Sequence, residues 1–296
     1  MIYDCIIVGG GLSGLQAAIQ LGRYGHSTLV LDAADGRSTW CRSYNNLLGW
    51  PDGVSGKHLR RLGRDQAGRL GVHFVETWIE RAEPIPEGFA LISRDQSVYH
   101  GRRLLLATGV VDRLPPLEGL IPCLGISLFI CPDCDGYEIR DRPAVIIGSG
   151  DAGAAMALKL IFWSKQLTYI NHERRPLSAA MSEQLAQKDI PRIELQVRRL
   201  VADGEQLLGF ELEDGSFHAA DRGFVAFGGN EVRSGLAHQL GAERLENRHV
   251  LTDPRSKMTS VRHVWATGDI GVHAEQASIA MGEGVQAAIW MHKSLL

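Results

Sequence analysis

The sequence predicts an α/β protein built from two Rossmann-like, three-layer nucleotide-binding domains. Two observations carry that class. A short apolar run, a G-x-G-x-x-G loop and a helical stretch occur in that order twice, over residues 9–14 and again over 148–153. Each loop is followed, about 20 residues past its last glycine, by a second strand with an acid at or just beyond its end. Between the two loops lies Cys131-Pro132-Asp133-Cys134-Asp135-Gly136, a pair of thiols two residues apart beside a carboxyl group.

Composition sets the bounds. The 296 residues suffice for one large domain or two ordinary ones, and 45% are hydrophobic, so a sizeable core is available. With 31 basic against 34 acidic residues the formal net charge is −3, which gives no argument for nucleic acid or an anionic membrane surface. Five cysteines (Cys5, Cys41, Cys123, Cys131 and Cys134) are an odd, sparse set, unlike a secreted disulfide framework. No basic n-region with an apolar h-region opens the chain, and no apolar run reaches about 18 residues. The expected setting is cytoplasmic, with no membrane span.

Ile2–Val8 is rich in β-branched residues and reads as a buried parallel strand. The loop Gly9-Gly10-Gly11-Leu12-Ser13-Gly14 follows, then a helix over residues 15–21. Glycines are needed here for the tight turn, for close approach of a pyrophosphate and for close helix–strand packing. The helix N-terminus offers its free N–H groups to the phosphates. Residues 27–31 form the second strand, and Asp32 stands where an acid holds a ribose hydroxyl pair. Residues 35–53 are a loop of turn residues, in which Asn46 and Trp50 are candidates to lie near a cofactor ring or are ordinary loop packing. A helix over 56–70 carries Lys57, Arg60, Arg61 and Arg64, read as a solvated basic face. Residues 72–76, 89–94 and 98–100 are predicted strands of a small antiparallel layer.

A second apolar run, 103–106, ends in Ala107-Thr108-Gly109, and the Pro115-Pro116 pair beyond it suits a hinge. After the thiol pair the pattern restarts. A strand over 144–147 leads into Gly148-Ser149-Gly150-Asp151-Ala152-Gly153, a helix over 154–162 and a strand over 167–170. Glu173 takes the place of the ribose acid for NAD, whereas Arg174 and Arg175 suit a 2′-phosphate, so the two signals conflict. A helix over 180–188 and strands over 192–203, 207–212, 216–219 and 223–227 follow, the last ending at a second hinge candidate, Gly228-Gly229. The chain closes with a strand over 261–266, Thr267-Gly268-Asp269 and an alanine-rich helix over 275–290.

Two thiols at this spacing close a small-loop disulfide and reopen it, and near a βαβ pattern they read as a redox dithiol. Asp135 can take or give the proton that exchange requires. The other readings are half of a zinc site, for which no second CxxC exists, or two buried thiols. No metal is predicted.

In this order of motifs the sequence resembles the low-molecular-weight thioredoxin reductases and their relatives among FAD-dependent disulfide oxidoreductases. The residues that carry the likeness are the first glycine loop, Ala107-Thr108-Gly109, Gly125-Ile126-Ser127, the CPDCDG stretch, the second glycine loop, and Ala266-Thr267-Gly268-Asp269 with Gln276-Ala277. The resemblance implies a discontinuous FAD-binding domain, 1–112 and 230–296, with an inserted NAD(P)-binding-like domain, 113–229, that carries the dithiol. It places FAD at Gly9, Gly11, Leu12, Ser13, Gly14 and Asp32, with Asn46, Thr108, Gly109, Gly268, Asp269, Gln276 and Ala277 completing the site. Gly148, Gly150, Gly153 and Glu173 would serve NAD(P)H or a second nucleotide, and a second flavin is a further candidate. Cys134 is implied as the thiol nearest the isoalloxazine, Cys131 as the interchange thiol and Asp135 as the proton carrier. Relatives of this kind are usually homodimers whose inserted domain rotates, and their partner is a thioredoxin-like protein or another disulfide or dithiol.

The departures matter too. The family stretch His-Arg-Arg-x-x-x-Arg for the NADPH 2′-phosphate is here His172-Glu173-Arg174-Arg175-Pro176-Leu177-Ser178. A carboxylate facing a phosphate dianion is unfavourable in any dielectric. The family's Arg-Gln-Ala is Glu275-Gln276-Ala277, and Asp35-Gly36-Arg37 stands near the place of its Gly-Gly-Gln. These changes leave three alternatives beside a nicotinamide-fed reductase: an enzyme fed by ferredoxin or a second flavin, a dithiol oxidase, and a non-catalytic flavin redox sensor.

Overall fold

The computed structural model describes residues 1–272 and 274–296. By contacts the chain divides into two compact units: residues 1–40, 55–111 and 231–296 form the first, and 41–54 with 112–230 form the second. The segment 41–54 thus groups by contacts with the second unit, whereas the resemblance implies residues 1–112 in the first. Elements are numbered in chain order, β1–β17 and α1–α9.

In the first unit, β1 (Ile2–Val8), β2 (Thr28–Asp32), β3 (His73–Glu76), β4 (Ile79–Ile85), β5 (Gly88–Ser93) and β6 (Val98–Leu106) join in the order β3-β2-β1-β6-β5-β4. A seventh strand, β17 (Val264–Ala266), pairs parallel with the second half of β6, while β5 pairs antiparallel with its first half. One continuous strand therefore serves both the parallel and the antiparallel part. The sequence pattern divides β6 into two runs because Gly101-Arg102 interrupts the apolar period. It also assigns the third strand to the antiparallel layer, whereas β3 pairs parallel with β2. β4, whose alternation is broken by an irregularity between Ile79 and Arg81, is a strand the sequence did not announce.

Side chains of β1 alternate between two cores. Cys5 and Ile7 join Ala17, Ala18 and Leu21 of α1 (Leu12–Arg23) and Ala287, Ala288 and Met291 of α9 (Ala277–Lys293). Ile6 and Val8 join Leu91, Leu104 and Leu106 on the other face. Burial of one such aliphatic side chain contributes about 1.5–3 kcal/mol. Helix α9 lies directly on α1 because Gly284 has no side chain; a Cβ there would stand 2.2 Å from Ser13 O. α2 (Arg37–Trp40), α3 (Gly56–Gly68) and α8 (Gly235–Gln239), with the two-stranded pair β7 (Val110–Val111) and β16 (Glu231–Val232), complete this unit.

The second unit is a parallel sheet of five strands in the order β11-β10-β9-β15-β8: Arg192–Ile193, Leu167–Asn171, Ala144–Gly148, Gly223–Ala226 and Leu128–Phe129. One face, with Ile146 and Tyr169, packs on α6 (Gly150–Leu160) and α7 (Ala179–Gln187). The other, with Val145 and Ile147, is covered by the antiparallel layer β12 (Val197–Asp203), β13 (Gln206–Leu212) and β14 (Phe217–Ala219). The predicted single strand over 192–203 is two strands in two different sheets, β11 and β12. Two short helices, α4 (Leu120–Cys123) and α5 (Pro132–Asp135), precede β9. Among the described residues no helix is long and apolar enough to cross a membrane.

Candidate active site

Cys131 and Cys134 are joined as a disulfide with Cα atoms 5.2 Å apart. Local sequence explains the turn that brings them together. Cys131 is the N-cap of α5 and Pro132 its first residue, where a fixed φ is favourable and no N–H is missed. The Cys134 amide donates to Cys131 Sγ at 3.1 Å, and the Asp135 amide donates to Cys131 O at 3.0 Å. A hydrogen bond received by sulfur favours its thiolate once the pair is reduced. Gly136 then lies flat on Trp163; a Cβ would meet the indole at 2.7 Å. That contact makes Trp163 part of the support under the dithiol. Burial, with the nearby Glu138 charge, pushes the Asp135 carboxyl up to about 7. It can thus exchange a proton near neutral pH.

The first glycine loop is shaped by backbone contacts. A Cβ on Gly14 would stand 1.9 Å from Gly9 O, and one on Gly9, whose φ is +107°, 2.2 Å from Ala107 O. At Gly11 a Cβ would find only Ser38 Oγ, at 3.9 Å, so this position is open toward the crevice. Gly11 offers α1 no side-chain cap and no acid stands in its first turn. The first amides of such a helix have no partner within it and attract an anion. These features fit the pyrophosphate of a dinucleotide. Ser13 Oγ donates to Thr267 Oγ1 at 2.7 Å, which ties the start of α1, where Leu12 is half-buried, to the chain after β17.

Asp32, at the end of β2, is buried. Its Oδ1 accepts from the Gly10 amide at 2.9 Å and its Oδ2 from Arg60 Nη2 at 2.5 Å. Arg60 also donates to Gly10 O at 2.7 Å. The reading of Arg60 as part of a solvated face is therefore wrong. It lies with Gly56, Gly63 and Ala67 on the small-residue stripe that α3 turns inward, because a buried carboxylate needs a cation. That stripe was visible as spacing, and the demand of Asp32 for a partner could have picked Arg60 out.

Thr108 and Gly109 follow β6, with Thr108 Oγ1 donating to Arg233 O at 2.6 Å and Gly109 at φ +67°. Beyond β17, the Gly268 amide donates to Glu283 Oε2 at 3.0 Å, and Glu283 pairs with Lys257 at 2.9 Å. Asp269 Oδ2 accepts from Arg37 Nη1 at 2.9 Å. Gln276 is the N-cap of α9 and Ala277 its first residue. Strand ends and helix starts thus gather the first-unit candidates along one sheet edge. Asn46 is exposed and Trp50 half-buried on the 41–54 segment, which groups with the second unit.

In the second unit, Gly148 pairs in register with Asn171, and by this register Asn171 is the counterpart of Asp32. Its Oδ1 accepts from the Gly150 amide at 3.0 Å. Gly153 packs on Tyr169, where a Cβ would stand 2.4 Å from the ring. Glu173, two residues further on, forms an ion pair with Arg113 and stands 3.3 Å from Arg175 Nε. Arg174 pairs with Glu213, and Ser178 Oγ caps α7 by accepting from the Met181 amide at 3.3 Å. A cavity of about 190 Å³ at the ends of β8 and β15 is lined by Arg113, Ile130, Met156 and Phe227. Among the described residues no group of three or more His, Cys, Asp or Glu is arranged to hold a metal ion.

A glycine-rich dinucleotide loop, a second nucleotide fold and a redox dithiol define a flavin-linked disulfide oxidoreductase. The chain belongs to the pyridine nucleotide-disulphide oxidoreductase family, whose model matches residues 3–284. It is 25% identical over 305 residues to the thioredoxin reductase of Aquifex aeolicus strain VF5, spanning 99% of this chain and 94% of that one. The crystal structure of HlmI is similar with a TM-score of 0.88 at 29% identity, covering 99% of this chain and 92% of that one. That of the putative thioredoxin reductase TrxB from Bacillus anthracis gives 0.86 at 26% identity, covering 99% and 98%. The protein is an FAD-dependent, thioredoxin reductase-like oxidoreductase that acts on sulfur, with Cys131 and Cys134 as its redox pair.

Proposed function

We propose that this enzyme exchanges two electrons between FAD on its first unit and the Cys131–Cys134 pair, and trades them with a thioredoxin-like protein or another disulfide or dithiol. The observation that carries the reading is the disulfide at the N-cap of α5 beside a carboxyl group that titrates near 7. FAD supplies two-electron chemistry when bound. Gly9, Gly11, Leu12, Ser13 and Gly14 would take its pyrophosphate and Asp32 its adenosine ribose. Thr108, Gly109, Gly268 and Asp269 would hold the ribityl side, and Gln276 and Ala277 the ring.

The chain's own steps are thiol–disulfide exchange. In the reduced enzyme the Cys131 thiolate attacks a partner disulfide, forming a mixed disulfide and releasing one partner thiolate. Cys134 then attacks Cys131 Sγ, closes the internal disulfide and releases the second thiolate. Asp135 gives and retrieves the protons. The reverse sequence oxidises a partner dithiol.

The electron donor on this reading is not NADPH. The cations that would meet a 2′-phosphate already pair with Glu173 and Glu213, and Ser178 is spent as a helix cap. The deciding experiment is an anaerobic titration of the purified protein with NADPH, NADH and then dithiothreitol, with released flavin quantified per chain. We expect about one FAD per chain, bleached by the dithiol and not by NADPH. Rapid bleaching by NADPH would overturn the donor assignment. More than one flavin per chain would place a second on the other nucleotide fold. The setting is a cytoplasmic homodimer, a state that sedimentation of the holoprotein reads directly.

A further inference from the structure

The chain that leaves β2 is held by opposite charges at two positions two residues apart. Asp35 takes both terminal nitrogens of Arg233, at 2.7 and 2.8 Å. Arg37 Nη1 reaches Asp269 Oδ2 at 2.9 Å and Glu275 Oε2 at 2.6 Å. These anchors all come from beyond the glycine loop. Arg233 follows β16, and its amide donates to Gly109 O at 3.0 Å, so it is fixed to the end of β6. Asp269 follows β17, and Glu275 directly precedes the N-cap of α9.

Sheet order makes this a crossing. From β2 the strands run β1, β6 and then β17. The ends of β2 and β17 are therefore three strand spacings apart, on the order of 14 Å. To meet Asp269, Arg37 must pass in front of the ends of β1 and β6, where the first glycine loop and Thr108-Gly109 lie. The ion pairs are also shielded: side-chain exposure is 24% for Arg37 and 19% for Asp269, so salt screens them only in part. Charge adds a second reason for an arginine here. Two carboxylates stand beside a crevice that fits a pyrophosphate, and Arg37 is the cation paired with both.

We infer that Asp35-Gly36-Arg37 is a clasp across the dinucleotide crevice of the first unit, locked by Arg37 on Asp269 and Glu275, and that it sets how fast FAD leaves. The inference rests on FAD occupying this crevice. Arg37 acts as a positioning residue. Opening the clasp frees the way out, and closing it keeps the carboxylates neutralised and the Asp269 loop in place.

The test follows FAD release from the holoprotein, read as the rise in fluorescence of free flavin after dilution, with thermal unfolding of the flavin-free protein alongside. Arg37→Gln is expected to release FAD on the order of tenfold faster, the effect of losing hydrogen bonds to charged groups. Added salt should speed release from the wild type and have less effect on the variant, while Arg37→Lys, which keeps the charge and loses the fork, falls between. Unchanged release in Arg37→Gln overturns the clasp. So does faster release matched by an equal loss of flavin-free stability, which would make Arg37 merely structural. Should Arg37→Gln not fold, Asp35→Asn decides: it must quicken release by a smaller factor, and no change refutes the inference. A wild type that holds no FAD refutes the FAD reading and the clasp together, and is recognised by its missing flavin.

Discussion

The two glycine loops have the same spacing and differ in the charges at the helix start and at the neighbouring strand end. Around the first, helix α1 begins with no acid, and the residue at the end of the neighbouring strand is a carboxylate paired with the buried Arg60. Around the second, α6 begins with Asp151, and the register-equivalent residue is the neutral Asn171, whose amide donates to Glu194 at 2.8 Å. The first arrangement leaves a positive helix end facing a crevice. The second sets Asp151 in the first turn of its helix and holds its nearest arginines on Glu173 and Glu213. A shared backbone motif therefore does not carry a shared ligand chemistry; the charges placed beside it decide.

The sharpest way to break that comparison is to damage the first loop at two positions. Gly14→Ala puts a Cβ 1.9 Å from a backbone oxygen that cannot yield, and should cost more than about 4 kcal/mol, with protein recovered without flavin. Gly11→Ala is the informative companion, because its Cβ meets nothing closer than 3.9 Å. It should leave flavin-free thermal stability unchanged and still weaken FAD binding at least about tenfold, since the methyl group enters the path of the ligand. Equal FAD affinity in Gly11→Ala and wild type would show that the pyrophosphate does not approach there.

Exchanging the two strand-end residues sharpens the contrast further. Asp32→Asn strands the Arg60 charge in the core and should cost about 3–5 kcal/mol in denaturant unfolding of the flavin-free protein. Asn171→Asp sets a carboxylate against Glu194 and should cost about 1–3 kcal/mol. Like charges disfavour the ionised form, so that loss should grow as pH rises through and above the ordinary carboxylate range. Stabilities of Asn171→Asp that do not vary with pH would mean that Glu194 is not the neighbour that matters.

The buried Asp32 of the first unit and the half-buried Asp135 of the second differ in the same spirit. Asp32 has an arginine, whereas the Asp135 carboxyl is pushed up to about 7 by burial and by Glu138. Its folded-state pKa lies above the ordinary 3.8, so below that value the group contributes no difference between folded and unfolded chains. Stability falls as pH rises from about 4 to about 7, where folding must hold back an ionisation that the unfolded chain makes freely. Asp135→Asn should remove that slope from unfolding curves of the oxidised protein. It should also slow disulfide exchange by about 10²–10⁴-fold and erase a kinetic transition near pH 7. A rate profile that keeps the transition would assign the proton to another group.

What was legible in the sequence follows from what is local. Glycine spacing, the strand–loop–helix order and the CxxC turn are set by neighbours in the chain, so both nucleotide folds and the dithiol were readable. Charge partners come from distant positions. Arg60 meets Asp32 across 28 residues and Arg37 meets Asp269 across 232, so a helical face and a loop told nothing of them directly. Asn171 was missed for a different reason: an amide at a strand end has no signature, whereas Glu173 matched a familiar spacing. β6 and β3 were misread because pairing, not propensity, decides which sheet a short strand joins.

The smallest expected effect concerns Glu173, and it bears directly on the donor. Its carboxylate holds Arg113 and stands 3.3 Å from Arg175, with side-chain exposures of 35%, 63% and 27% for Arg113, Arg175 and Glu173. Partly solvated pairs of this kind contribute about 1 kcal/mol or less, so Glu173→Gln should fold normally. It removes the repulsion on a 2′-phosphate and releases two guanidinium groups, yet Arg174 stays with Glu213 and Ser178 still caps α7. The gain in NADPH binding over NADH should therefore be only a few-fold, on the order of 1 kcal/mol, as measured by calorimetry. Adding Glu213→Gln frees the remaining arginine and should raise the preference by a similar further factor. If neither variant changes the ratio, charge is not what separates the second loop from the first for this ligand, and the shape of the cavity beside Met156 and Phe227 becomes the determinant to alter next.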